Sequence, residues 1–132
     1  MNTLLETKSS LVPQAGPSSP RGRFFADQTF HFETLRNAGY ALSECADLGE
    51  VLETTKQITE GDVESWYRAW AGTAERVHAL AVRTQDATSK GGACMRASTY
   101  QRLAEFLLAP DDRRRAESFD KAVRWFLDGL DA

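Results

Sequence analysis

The stretch from Gly61 to Thr88 reads GDVESWYRAWAGTAERVHALAVRTQDAT, and its spacing decides the fold class. Val63, Trp66, Trp70, Ala74, Val77 and Ala81 recur in steps of three and four, which keeps them on one side of an α-helix. Asp62 is placed to cap that helix. A carboxylate there accepts from the free N–H groups of the first turn and meets the positive end of the helix dipole. Gly61 lets the chain turn in. At about 1.5 Å per residue such a helix spans roughly 40 Å. Several helices can pack along that length, and the segment that follows is expected to run back as an antiparallel neighbour.

Downstream, Ser89, Lys90, Gly91 and Gly92 read as a turn. Ala93, Ala97, Tyr100, Leu103, Ala104 and Leu107 then fall at helical spacing until Pro110, which cannot donate the next helical hydrogen bond. Asp111 or Asp112 caps a last helix with Ala116, Phe119, Ala122, Val123, Phe126, Leu127 and Leu130 as its expected buried stripe. Upstream, Asp47 and Glu50 have capping-box spacing and open a helix expected over Leu48 to Thr59. A burst of apolar surface, Phe24, Phe25, Phe30, Phe32 and Leu35, needs covering, and a short helix from about Phe30 to Ala38, stopped by Gly39, would cover it. Residues 1–22 hold Pro13, Gly16, Pro17, Pro20 and Gly22 among serines, a composition that buries too little apolar surface to offset the entropy of ordering. No strand-like alternation occurs. The expectation is an all-α antiparallel bundle of about five helices, a disordered tail over 1–22 and a helical domain over 23–132.

Composition narrows the function classes. A formal charge of -3 offers no basic footprint for nucleic acid. No apolar run approaches the roughly 20 residues of a membrane span. The N-terminus lacks the basic start and apolar core of a secretory signal, so a cytoplasmic location is expected. Cys45 and Cys94 lack metal-ligand spacing and read as free thiols, and His31 and His78 are the only imidazoles. Neither a metal nor a cofactor is expected.

Motifs that carry chemistry are missing as well: no G-x-S-x-G elbow, no Gly-rich phosphate loop, no H-E-x-x-H and no Cys-x-x-Cys. Cys94, His78 and Asp86 are the only pieces of a nucleophilic site, but the last two lie two turns apart on one helix. The run Arg113, Arg114, Arg115 suits phosphate or carboxylate, yet it opens a helix, where the dipole disfavours cations, and a solvated or docking patch is the better reading. Trp66, Tyr67, Trp70 and Trp125 are either core, as their helical spacing suggests, or the lining of a ligand pocket.

Three stretches together resemble a known family: ADLGEV (Ala46 to Val51), EGDVESWYRAWAGTAERV (Glu60 to Val77) and RASTYQRLAEFLL (Arg96 to Leu108). They look like the N-terminal helical region of a group of α/β-hydrolases. That group includes the 2,6-dihydroxypseudooxynicotine hydrolases, which cleave a carbon–carbon bond, and fungal hydrolases that shorten polyketide pigment precursors. The likeness runs from about Phe24 to the end of the chain. Over Glu44 to Asp47 the family often reads Gly-Gly-Ala-Asp instead.

The resemblance implies a cap that packs over the mouth of a Ser-Asp-His hydrolase domain and helps form its substrate cavity. Trp66, Tyr67, Trp70 and Tyr100 are the candidates for that lining. It also implies that the catalytic domain would follow Ala132, so none of the family's nucleophile, acid or histidine falls on a residue here. The expected partner is an α/β-hydrolase catalytic domain or subunit, with a homo-oligomer left open, and an apolar patch of roughly several hundred square ångströms should stay uncovered in the isolated chain. Three alternatives compete with this reading. One is a free-standing tetratricopeptide-like interaction module, although no 34-residue self-similarity is present. The others are an enzyme using Cys94 or an acidic residue, and a remnant without function.

Overall fold

A computed structural model describes residues 24–132, and every regular element among them is helical. Helix α1 is Gln28–Ala38, followed by a 3-10 helix over Gly39–Ser43; α2 is Leu48–Thr55, α3 Val63–Arg83, α4 Ala87–Glu105 and α5 Arg114–Leu130. The expected flexible tail lies outside the described residues. Helix α4 sits in the middle, packed along α3 on one side and α5 on the other, while α1 and α2 lean against α3 and α4.

Local chemistry accounts for the helix starts. Asp27, Asp47, Asp62 and Asp86 each stand immediately before a helix and accept from its first free N–H groups, through Phe30, Glu50, Glu64 with Ser65, and Ser89 respectively. Three boundaries differ from those expected. The long helix ends at Arg83, because Asp86 caps the next one and leaves only Thr84 and Gln85 free between them. Helix α2 ends at Thr55 rather than Thr59, and the Thr59 N–H donates to the Ser65 hydroxyl at 2.9 Å instead of continuing the ladder. The Ser89–Gly92 segment is no turn but the first part of α4.

Those glycines serve packing. A Cβ on Gly91 would sit 3.1 Å from the Gly129 carbonyl oxygen, and one on Gly129 would sit 3.2 Å from the Gly91 carbonyl oxygen. The backbones of α4 and α5 therefore touch where side chains would hold them apart. The core is an aromatic chain, Phe25–Phe30–Trp66–Trp70–Tyr100, with successive ring centroids 4.9–5.8 Å apart. Ala74, Val77, Ala81, Ala93, Ala97, Leu103 and Ala104 extend it along the α3–α4 seam.

Candidate functional site

Of the four candidate cavity residues, Trp66, Trp70 and Tyr100 are completely buried at the centre of this core. The Trp66 indole N–H donates to the Leu103 carbonyl at 2.8 Å, which fixes α3 against the end of α4. Tyr100 reaches the start of α2, where its hydroxyl donates to the Glu50 carboxylate at 2.6 Å and accepts from the Asp47 N–H at 2.8 Å. Burial, reinforced by the Glu50 carboxylate, drives the acidity of that hydroxyl far down, so it stays neutral and keeps donating. Glu50 also takes Arg96 through two nitrogens, at 3.0 and 3.3 Å. The reciprocal arm of the expected capping box is thus displaced by partners from α4. Tyr67 lies nearer the surface, half-buried beneath the Arg114 guanidinium at 4.6 Å.

Cys94, His78 and Asp86 each have separate surroundings. Burial pushes the Cys94 thiol up, away from the thiolate form. The His78 ring stacks on Trp125 at 4.3 Å, and Asp86 is committed to Ser89, whose hydrogen bonds lower its pKa. No hydrogen bond joins the three among the described residues. In the arginine run, Arg114 forks between Glu64 and Asp112, each reached at 2.6 Å, and holds the Asp112 carboxyl down at about 2. Arg115 turns inward to the Leu108 carbonyl and Glu105, which leaves Arg113 as the exposed member of the triplet. Among the described residues no group of three or more His, Cys, Asp or Glu is placed to hold a metal ion. No helix there is long and apolar enough to cross a membrane.

The outer face of α5 reverses an expectation. The residues buried against α4 are Ser118, Ala122 and Trp125, with Gly129 continuing the same side. Phe119, Val123, Phe126, Leu127 and Leu130, expected inside, are 40–61 % exposed. They form a second stripe centred roughly 100° around the helix from the first. The close approach of the α4 and α5 backbones at Gly91 and Gly129 sets which side of α5 faces inward and leaves the other apolar side half exposed. Helix α1 is similarly turned, for it buries Glu33, Thr34 and Asn37 beside Phe30 and exposes Phe32 and Leu35. The aromatic burst at the start of the domain is therefore only partly covered, by Phe25 and Phe30.

Between these two helices runs a groove of about 330 Å³ floored by α4. Arg36, Asn37 and Tyr40 form one wall, Phe126 the other, and Met95, Ser98, Thr99, Arg102, Leu103 and Phe106 the floor. Arg36 lies over the Phe106 ring at 5.5 Å and Arg102 over the Phe119 ring at 4.7 Å. Neither the groove nor the reversed α1 face was legible as a site, since Phe32, Leu35 and Phe106 are individually ordinary apolar positions in a helix.

Comparison with known proteins returns fungal hydrolases. The chain is 38 % identical to a hydrolase of Aspergillus aculeatus over 83 % of its own length and 27 % of that protein. It is 40 % identical to the 20-hydroxy-prefusarin hydrolase of Gibberella moniliformis, over 79 % of this chain and 26 % of the relative. An alpha/beta hydrolase of Aspergillus fumigatus matches at 32 % identity, over 82 % and 26 % respectively. The chain thus spans about a quarter of the length of the curated relatives it matches. No family model matches, and no solved structure matches.

Proposed function

We propose that this chain, related to fungal α/β-hydrolases over about a quarter of their length, acts as their helical cap. In this reading the helical domain over 23–132 lies across the mouth of an α/β-hydrolase catalytic domain and supplies one wall of the substrate cavity. Hydrolysis of a carbon–carbon or ester bond is performed by residues outside it. The observation that carries the proposal is the outer stripe of α5, five large apolar side chains on one side of a helix that stay 40–61 % exposed. A contiguous apolar strip on one helix marks a surface built to be covered, and substrate sites favour the boundary between two domains. Trp66, Trp70 and Tyr100 then form the rigid backing of the wall and Tyr67 its more accessible ring.

The test mixes the purified chain with the part of the Gibberella moniliformis hydrolase that lies outside the matched segment. Calorimetry should register saturable binding, and an ester substrate should be turned over only by the mixture. Both should vanish with Leu127→Gln/Leu130→Gln. Absence of binding, or binding indifferent to that double substitution, would falsify the cap reading.

A further inference from the structure

The groove between α1, α4 and α5 has a charge pattern that its apolar lining does not explain. Tyr40, Met95, Leu103, Phe106 and Phe126 give it an aromatic and thioether surface. Its only ionised side chains are Arg36 and Arg102; no carboxylate lines it. Three of the neutral polar groups are already engaged within the chain. Ser98 donates to the Ala122 carbonyl at 2.7 Å, Thr99 to Met95 at 3.2 Å, and the Asn37 amide to Glu33 at 2.7 Å. The donors left open to a ligand are the two guanidiniums and the Tyr40 hydroxyl, and of these only the guanidiniums carry charge.

Each guanidinium is held from behind. Glu33 and Glu105 are almost completely buried, and they accept from Arg36 at 2.6 Å and from Arg102. Glu105 is shared with Arg115 at 3.4 Å, so three arginines stand against two carboxylates and the cluster keeps one surplus positive charge. A guanidinium has five N–H groups and spends few of them on one carboxylate. Arg36 and Arg102 are also about half exposed, which leaves their outer edges open to a ligand. Guanidinium stacked on an aromatic ring and aimed by a buried acid is a pre-organised receiver for a carboxylate.

We infer that this groove binds a small planar aromatic carboxylate, its ring against Phe106 and Phe126 and its carboxylate received by Arg36 and Arg102. A volume of 330 Å³ limits the ligand to one or two fused rings. The inference shares Phe126 with the stripe of the cap reading but is testable without a partner, because every residue it uses belongs to this chain.

The test is a fluorescence titration of the full chain with 2-naphthoate, using the neutral 2-naphthylmethanol as its twin. The carboxylate should bind about ten-fold more tightly. Arg102→Gln should remove most of that preference; Glu105 keeps Arg115 as a partner in this variant, and circular dichroism checks that the helices persist. Phe126→Ala, at a half-exposed position that tolerates truncation, should weaken both ligands by a similar factor. Arg124→Gln, outside the groove, should change neither. Equal affinity for the acid and the alcohol overturns the inference, as does unchanged binding in Phe126→Ala or a preference that survives Arg102→Gln. These measurements need no hydrolase domain, so their failure and a failure of docking are separable.

Discussion

Helices α3 and α5 carry similar raw material, large apolar residues recurring every three or four positions, and use it in opposite ways. Helix α3 turns Trp66, Trp70, Ala74, Val77 and Ala81 inward, where α4 meets them with alanines and Tyr100. Helix α5 turns Ser118, Ala122 and Trp125 inward and leaves its other large apolar residues half exposed. The first arrangement is the one expected of a helix whose neighbours are all present. The second leaves a strip of Phe, Val and Leu about half in water, where each side chain forgoes roughly half of the 1.5–3 kcal/mol that full burial is worth. The same amphipathic logic therefore marks the inner face of α3 as core and the outer face of α5 as surface.

That contrast can be broken at several points. The largest effect is expected from Trp66→Ala, which opens the aromatic chain and removes the bond to Leu103; denaturant unfolding should register a loss of about 3–5 kcal/mol. Gly91→Ala should come next. Its methyl would press on the Gly129 carbonyl and force α5 away from α4, at about 1–3 kcal/mol, with altered Trp125 fluorescence reporting the shift. Tyr100→Phe leaves the Asp47 N–H and Glu50 short of a partner and should cost about 1–2 kcal/mol at neutral pH. The pH dependence carries a sign. The fold holds Tyr100 neutral, so its contribution is complete below about pH 10, where unfolded tyrosine is neutral too, and falls as pH rises past that value. In Tyr100→Phe this part of the alkaline fall should disappear from urea midpoints taken above pH 10.

A smaller effect of opposite sign is expected from Glu44→Gly. Glu44 adopts φ 62° at the end of the 3-10 helix, a left-handed conformation that burdens any residue with a Cβ. Replacement should stabilise by about 0.5–1 kcal/mol, read as a higher urea midpoint. Least of all should happen with Leu127→Gln or Leu130→Gln in the isolated chain, within about 0.5 kcal/mol. A large loss there would mean that the outer stripe already has a neighbour, and the contrast between α3 and α5 would collapse.

What was legible follows from which signals are local. The long helix, its Asp62 cap and the alternation of helices back along it could be read because period and capping are decided within a few residues. The Gly at position 44 in the family pattern fits the positive φ found there, although this chain carries Glu. Ser89–Gly92 was misread because paired glycines signal a turn unless a second helix requires the room, and Gly129 lies 38 residues away in sequence. The stripe on α5 was misassigned for the same reason. Phe119, Val123, Phe126, Leu127 and Leu130 dominate the apolar pattern of α5, whereas the close contact at Gly91 and Gly129 turns Ser118, Ala122 and Trp125 inward. Glu50 was expected to reach back along its own helix, but Tyr100 and Arg96 come from roughly 50 positions downstream. The candidate aromatic residues were recognisable as a cluster, while the complete burial of Trp66, Trp70 and Tyr100 depended on α1 and α4 packing over α3.

The bond between the Asp47 N–H and the Tyr100 hydroxyl joins positions 53 apart, whereas α3, α4 and α5 each pack on the helix that precedes or follows them. Short-range contacts form quickly and long loops close late. That difference predicts an order of assembly in which the three long helices pair first and the amino-terminal third of the domain latches afterwards onto the hydroxyl of a finished α4.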